Sequence, residues 1–300
     1  MNLHPDFELT SVSGTVVSPS HLGPLAHLVG VWHGHGFNQI WRPLNGPQDR
    51  FLELNETSET LEFDRIPGNI PNRGLLQPDI NLHGLRYLQQ IVDANVLGGN
   101  GKPAGIHVEP GVWLRVPDTT NPIDAPTVAR LANIPHGTAF VAQGSASTVP
   151  GPPVLTIASI TPFVIGNPAQ LVPFPESTLA TPSQFRTPAA DIPNVTQAEV
   201  DDPNTLLAAG IAGKTITETT ILTISTVPLN PPATGGGADN IAFLVGATGG
   251  PNAQAAQVDA TFWIETLEDD SMQLQYSQRV LLNFNGLSWP HVSVATLAKA

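Results

Sequence analysis

Cysteine is absent from this chain of 300 residues. That excludes disulfides, thiolate metal sites and cysteine nucleophiles together. Charge is scarce as well: Asp, Glu, Lys and Arg make up 12% of the residues, and the only lysines are Lys102, Lys214 and Lys299. With a formal net charge of −13 and no cluster of Lys and Arg, the chain lacks what phosphate backbones and anionic membrane surfaces recognise. No apolar run approaches the roughly 18 residues of a membrane-spanning helix. The opening MNLHPDFELT has no basic region leading into an apolar core. The expectation is a soluble, cytoplasmic protein with neither nucleic-acid nor membrane partners.

Long charged helices are missing too. Proline (30) and glycine (27) are abundant, which disfavours a helical bundle, while a hydrophobic content of 41% disfavours disorder. What remains is a strand-rich chain with proline-stiffened loops. Strand-like segments run through VWHGHGFNQIW (31–41), RFLELNETSETLEF (50–63), IHVEPGVWLRVP (106–117), TITETTILTIST (215–226), NIAFLVGA (240–247), QVDATFWIETLE (257–268) and MQLQYSQRVLLNF (272–284). In the sixth, Val258, Ala260, Phe262 and Ile264 share one face and Asp259, Thr261, Trp263 and Glu265 the other. An Asn-Gly pair follows the last of them, a two-residue hairpin signal. Leu82, Leu85, Leu88 and Ile91 recur every third residue, which predicts one short helix within 78–96. Residues 117–210 hold 15 of the 30 prolines, and between 141 and 185 the only charged residue is Glu176. Because VLTIASITPFVIG (154–166) is apolar, this stretch reads as an ordered insertion. Antiparallel strands without repeating βα units imply an all-β sandwich or barrel, one domain over 1–300.

Several motifs for chemistry fail. GHGFNQ lacks the third glycine of a dinucleotide fingerprint, GGNGKP has Pro103 where a phosphate loop needs Ser or Thr, and no G-x-S-x-G occurs. His33 and His35 lie at i and i+2, on one face of a strand, as in metal-binding barrels. No carboxylate follows until Asp49, so a non-haem metal site there is the weakest of three readings. Gly34 and Gly36, between the histidines and on the face of Trp32, mark close approach of a neighbouring strand or a planar ligand. Arg115 and Arg279 are candidates for holding a carboxylate, or for plain ion pairs. His83, His107, His136 and His291 are single histidines in apolar surroundings, and Pro290 fixes the backbone directly before His291.

Three of these segments together resemble the nitrobindins. PLAHLVGVWHGHG (24–36) is similar to that family's P-L-A-x-L-x-G-x-W-x-G-x-G through Pro24, Leu25, Ala26, Leu28, Gly30, Trp32, Gly34 and Gly36. IHVEPGVWLR (106–115) is similar to H-x-E-x-G-x-x-R through His107, Glu109 and Gly111, with Arg115 one residue late. WPHVSVATL resembles the closing H-x-x-A-T-L segment, with His291 at or within one residue of the proximal haem ligand. The resemblance implies a calycin-type antiparallel barrel of about ten strands, enlarged by 117–210 as a cap on its mouth. It implies haem b bound at His291, with Trp32, Gly34, Gly36 and Arg115 around it. His107, His136 or His35 would be the distal hydrogen-bonding or acid/base group, and a diatomic or peroxide ligand would react at ferric iron, as in a peroxidase or peroxynitrite isomerase. The alternative reading is a metal-free carrier of an apolar small molecule.

Overall fold

The computed structural model describes residues 19–156 and 160–300. Ten long antiparallel strands form the frame: β1 (Gly30–Pro43), β2 (Arg50–Arg65), β3 (Ile80–Leu97), β4 (Pro103–Val116), β5 (Thr127–Ile134), β6 (Thr138–Pro150), β7 (Ile216–Ser225), β8 (Gln254–Leu267), β9 (Met272–Phe284) and β10 (Leu287–Lys299). Each pairs with its sequence neighbour, and β10 pairs back onto β1 from Ile40↔His291 to Trp32↔Lys299. The sheet is therefore a closed, up-and-down barrel of the calycin type, which leaves no edge strand in the ring.

The inward set follows the strand period of two. Val258, Ala260, Phe262 and Ile264 belong to the interior core, as their alternation predicts. The Asn-Gly pair makes the β9–β10 hairpin turn, with Asn285 at φ 46° and Gly286 at φ 75°, the left-handed pair that such turns require. One end of the barrel is plugged. The helical turn α1 (Pro19–Leu22) and a 3₁₀ turn over Gly23–Leu28 send Leu22, Leu25 and Leu28 into the interior core beside Trp32. The indole Nε1 of Trp32 donates to the Leu28 carbonyl at 2.7 Å. This is the physical content of P-L-A-x-L-x-G-x-W: a stopper and the side chain it seats against.

Gly34 and Gly36 also resolve. A Cβ at Gly34 would collide with the Thr296 carbonyl, and one at Gly36 with the Val294 carbonyl, both on β10. The glycines allow the first and last strands to meet. A neighbouring strand, not a planar ligand, occupies the space they leave.

The segment 78–96 is a strand, not a helix. Leu85, Tyr87, Gln89, Ile91 and Asp93 of β3 are buried in alternation. Two of those five are polar, so the inward period is hidden from a count of apolar residues, and the leucines that straddle both faces imitate a helical spacing. Residues 240–247 differ in the opposite direction. A short strand over Gly235–Asn240 gives way to the helical turn α4 (Ala242–Val245).

The region 117–210 is not one excursion, because β5 and β6 within it are barrel strands. The true excursion, 151–215, lies between β6 and β7, and it does not cap the mouth. It climbs the outer wall, where Phe163 pairs with Ser288 at the start of β10 and Arg186 bridges to Leu52 on β2. It then returns through α2 (Gln197–Asp201) and α3 (Asn204–Ile211). Its apolar residues Ile192, Val200 and Leu207 join Phe37, Trp41, Leu52, Leu54, Trp263, Val292 and Val294 in a second core on the outside of the barrel. The strap is folded around Arg186, whose guanidinium donates to the carbonyls of Glu176, Thr178, Leu179 and Thr181 at 2.8–3.1 Å. Arg50 fastens it further, stacked 4.0 Å over Phe174 and 3.3 Å from Glu176. Residues 157–159 of the apolar 154–166 stretch, and the amino-terminal ten residues, lie outside the described residues. Among the described residues no helix is long and apolar enough to cross a membrane.

Candidate functional site

At the end opposite the plug, the barrel holds a cavity of about 300 Å³. Its apolar wall comes from inward positions of successive strands, including Ile40, Ile91, Ile134, Val280 and Leu282. Leu244 of α4 reaches in from the β7–β8 connection, so that connection, and not the strap, borders the mouth.

Three imidazoles meet there. His107 stands on β4, His136 in the β5–β6 turn, and His291 on β10, and all three line the cavity. The His107 and His136 rings lie 6.1 Å apart, and His107 Nε2 is 3.4 Å from Glu109 Oε2. His291 is half-buried and lines the cavity. Surrounding protein strips water from its imidazole, and His107 and His136 across the cavity add repulsion. Together they push its pKa down to about 3, so it is a neutral base at pH 7. Its Nε2 lies 3.5 Å from Ser293 Oγ.

Below the cavity lies a polar layer that no motif announced. Arg130 is fully enclosed, and its guanidinium donates to Tyr87 Oη (2.8 Å), to Gln278 Oε1 (2.6 Å) and to the carboxylate of Glu109. Burial alone would raise the Glu109 carboxyl, but the Arg130 charge beside it prevails and holds it down at about 2. The second buried acid has no such partner. Glu59 accepts from Tyr276 (2.6 Å), Thr57 (2.8 Å) and Gln89 (3.4 Å), and burial raises its pKa above the ordinary carboxylate value. Both tyrosines are pushed well above their usual value, first by burial, and remain hydroxyl donors. The signal that could have found this layer is a charged residue at an inward strand position next to apolar inward neighbours: Glu59 before Leu61 and Phe63, or Arg130 between Val128 and Ala132.

The expected site residues thus separate into two groups. His291, His107 and His136 are brought together. His35 is not with them: it is exposed on the outer face of β1 with His33, which contacts Thr60 Oγ1 at 3.1 Å. The strand wall separates both from the cavity, so neither belongs to the site there. Among the described residues no group of three or more acidic or histidine side chains is arranged to hold a metal ion. Arg115 sits at the plugged end, donating to the His21 carbonyl at 2.9 Å and packed against Gly23. Trp32, Gly34 and Gly36 face inward but serve plug and closure, outside the cavity lining. Arg279 pairs with Asp259 at 2.8 Å.

The site and fold define a calycin-type barrel able to enclose a small, largely apolar ligand. Comparison with known family models and with curated proteins finds no match for this chain.

Proposed function

We propose that the protein is a receptor or carrier for a small, predominantly apolar molecule, held in the barrel cavity with its polar end among His107, His136 and His291. The observation that carries this reading is the convergence of three imidazoles, far apart in sequence, on one apolar cavity at the open end of a plugged barrel. Concave, mostly apolar pockets with a few convergent polar groups are where small ligands bind. A volume near 300 Å³ lies at the lower end of the roughly 300–1,000 Å³ typical of such sites. Titration with the neutral fluorophore N-phenyl-1-naphthylamine tests it: saturable one-to-one binding is expected, abolished by Val280→Trp, which fills the cavity.

A second reading, haem b binding, is favoured by one specific observation, the neutral His291 imidazole facing the cavity. His291 would hold the iron, and bound haem would supply ligand exchange at ferric iron for nitric oxide or a peroxide. His107 and His136 would present ring nitrogens as proton donors or acceptors to such a ligand. The cavity's modest volume weighs against it, as does the state of the lining cation Arg42. That guanidinium is already paired with Glu53 at 2.6 Å and offers the propionates no free charge. Haemin titration of wild type and His291→Ala decides: a Soret band that His291→Ala removes establishes this reading, and no band in wild type ends it.

A further inference from the structure

Simple binding makes no use of how His107 is held. His107 and Glu109 lie two residues apart on β4, on the inward face that also carries Trp113. Tyr87 and Arg130 both donate to Glu109 Oε1, which leaves Oε2 to His107 Nε2 at 3.4 Å. Burial opposes a charge on Glu109, yet Arg130 beside it keeps the carboxyl ionised. An ionised carboxylate only accepts, so Nε2 of His107 carries the hydrogen and Nδ1 the lone pair. Nδ1 makes no hydrogen bond among the described residues and keeps accessible surface, on a side chain that lines the cavity. A buried carboxylate that fixes the tautomer and direction of an imidazole is the arrangement that holds a general base.

The cavity leaves that base few reactions. The chain has no cysteine, and among the described residues no lysine lines the cavity. Of the lining hydroxyls, Thr138 donates to Asn240 Oδ1 at 2.8 Å and Tyr276 to Glu59 at 2.6 Å. Ser293 stands 3.5 Å from His291 Nε2, but among the described residues no carboxylate orients that ring. Burial has also made His291 a poor base. Covalent catalysis is therefore short of an activated nucleophile, whereas proton transfer to and from carbon needs none. His136, its ring 6.1 Å from His107, carries an N–H in either tautomer and so has a donor for an oxygen on which charge develops.

We infer that the protein catalyses enolisation, with His107 Nδ1 taking a proton from the carbon next to the carbonyl of an apolar ketone or aldehyde held in the cavity. The C–H bond breaks and its electron pair forms the C=C bond of the enolate. The carbonyl π pair moves to oxygen, where His136 donates, and His107 then hands the proton back to carbon or to that oxygen. Nothing is oxidised or reduced and no second substrate is consumed. Glu109 is the positioning residue. The inference rests on the receptor reading above and adds a reaction to it.

The test follows hydrogen–deuterium exchange at C1 of 2-tetralone by proton NMR in neutral D2O, beside free imidazole at the concentration of the protein. Wild type is expected to exceed the imidazole rate about a hundredfold or more. His107→Gln should fall to the imidazole rate or below it. Glu109→Gln should lower kcat about tenfold or more with KM unchanged, a split that a damaged cavity would not produce. No acceleration by wild-type protein that still binds N-phenyl-1-naphthylamine overturns the inference and leaves the receptor reading standing. Acceleration that survives His107→Gln overturns it equally, and a folded Glu109→Gln with wild-type kcat overturns the role of Glu109. If wild type neither binds N-phenyl-1-naphthylamine nor speeds exchange, the receptor reading and the inference fall together. Wild type against His107→Gln decides even if Glu109→Gln does not fold.

Discussion

At the residue scale, the interior polarity makes the sharpest demands. Arg130 offsets Glu109 in a space with no solvent, so replacing it by methionine of similar length leaves a buried carboxylate without its cation. Arg130→Met is expected to cost about 3–5 kcal/mol in denaturant unfolding, and adding Glu109→Gln should restore a large part of it. If Arg130→Met alone unfolds at the wild-type midpoint, the pair does not support the fold. The closure glycines make a second demand. Gly34→Ala drives a methyl group into the Thr296 carbonyl across the β1–β10 seam, so a loss of about 1–3 kcal/mol is expected, or failure to close the barrel. Wild-type stability in that variant would show that the seam has room to spare.

At the element scale, the strap and the barrel wall beneath it are coupled through few residues. Arg186 holds four strap carbonyls, and Arg186→Ala should release the strap while the barrel stays closed. The expected result is rapid proteolysis confined to 151–215, with far-ultraviolet circular dichroism near wild type. Cleavage no faster than wild type would contradict it. The wall also carries a titrating group. Glu265, on the outer face of β8, is fully buried, accepts from Gln273 Nε2 at 2.6 Å, and is raised by burial to about 7. A carboxyl whose folded pKa exceeds its ordinary value near 4.5 keeps in the folded chain a proton that the unfolded chain releases. Its contribution to stability therefore falls as pH rises from 4.5 to 7, by up to about 1.4 kcal/mol per pH unit. Glu265→Gln should flatten that slope and stabilise the protein at pH 8. An unchanged slope in the variant would place the titration elsewhere.

The barrel was legible in the sequence where alternation is clean. β8, β9 and the Asn-Gly turn follow from side-chain period and turn chemistry alone, and the P-L-A-x-L-x-G-x-W motif locates β1, though not the plug that its leucines form. β3 was not legible, because Gln89 and Asp93 take inward positions in the polar layer and break the apolar count. β5 and β6 were concealed by composition: small residues such as Ala129, Ala132, Ala142 and Gly144 fill their buried or tightly packed positions, and they resemble the loop-rich strap that follows. Of the site, His291 and His107 stood out through their motifs, with His136 beside them as a lone histidine. Arg130 and Glu59 did not stand out, since an inward polar residue is unremarkable until its partners from distant strands are known. Which face of the wall the strap would cover depended on Trp41, Trp289 and Phe174 finding one another, contacts that span more than a hundred residues.

At the scale of the whole molecule, the parts form a vessel: a leucine plug at one end, a polar layer across the middle, an apolar chamber with three imidazoles at the other, and a strap stiffening the outside. The strap leaves the mouth to the short connection that carries α4, so ligand entry is expected to depend on Leu244 and its neighbours and not on residues 151–215. The most direct measurement of the central claim is equilibrium binding of N-phenyl-1-naphthylamine to wild type and to Val280→Trp, with folding of both verified by circular dichroism. A single saturable site in wild type, lost in the folded variant, is the predicted result. Absence of saturable binding in wild type, or binding that survives with the cavity filled, would contradict it.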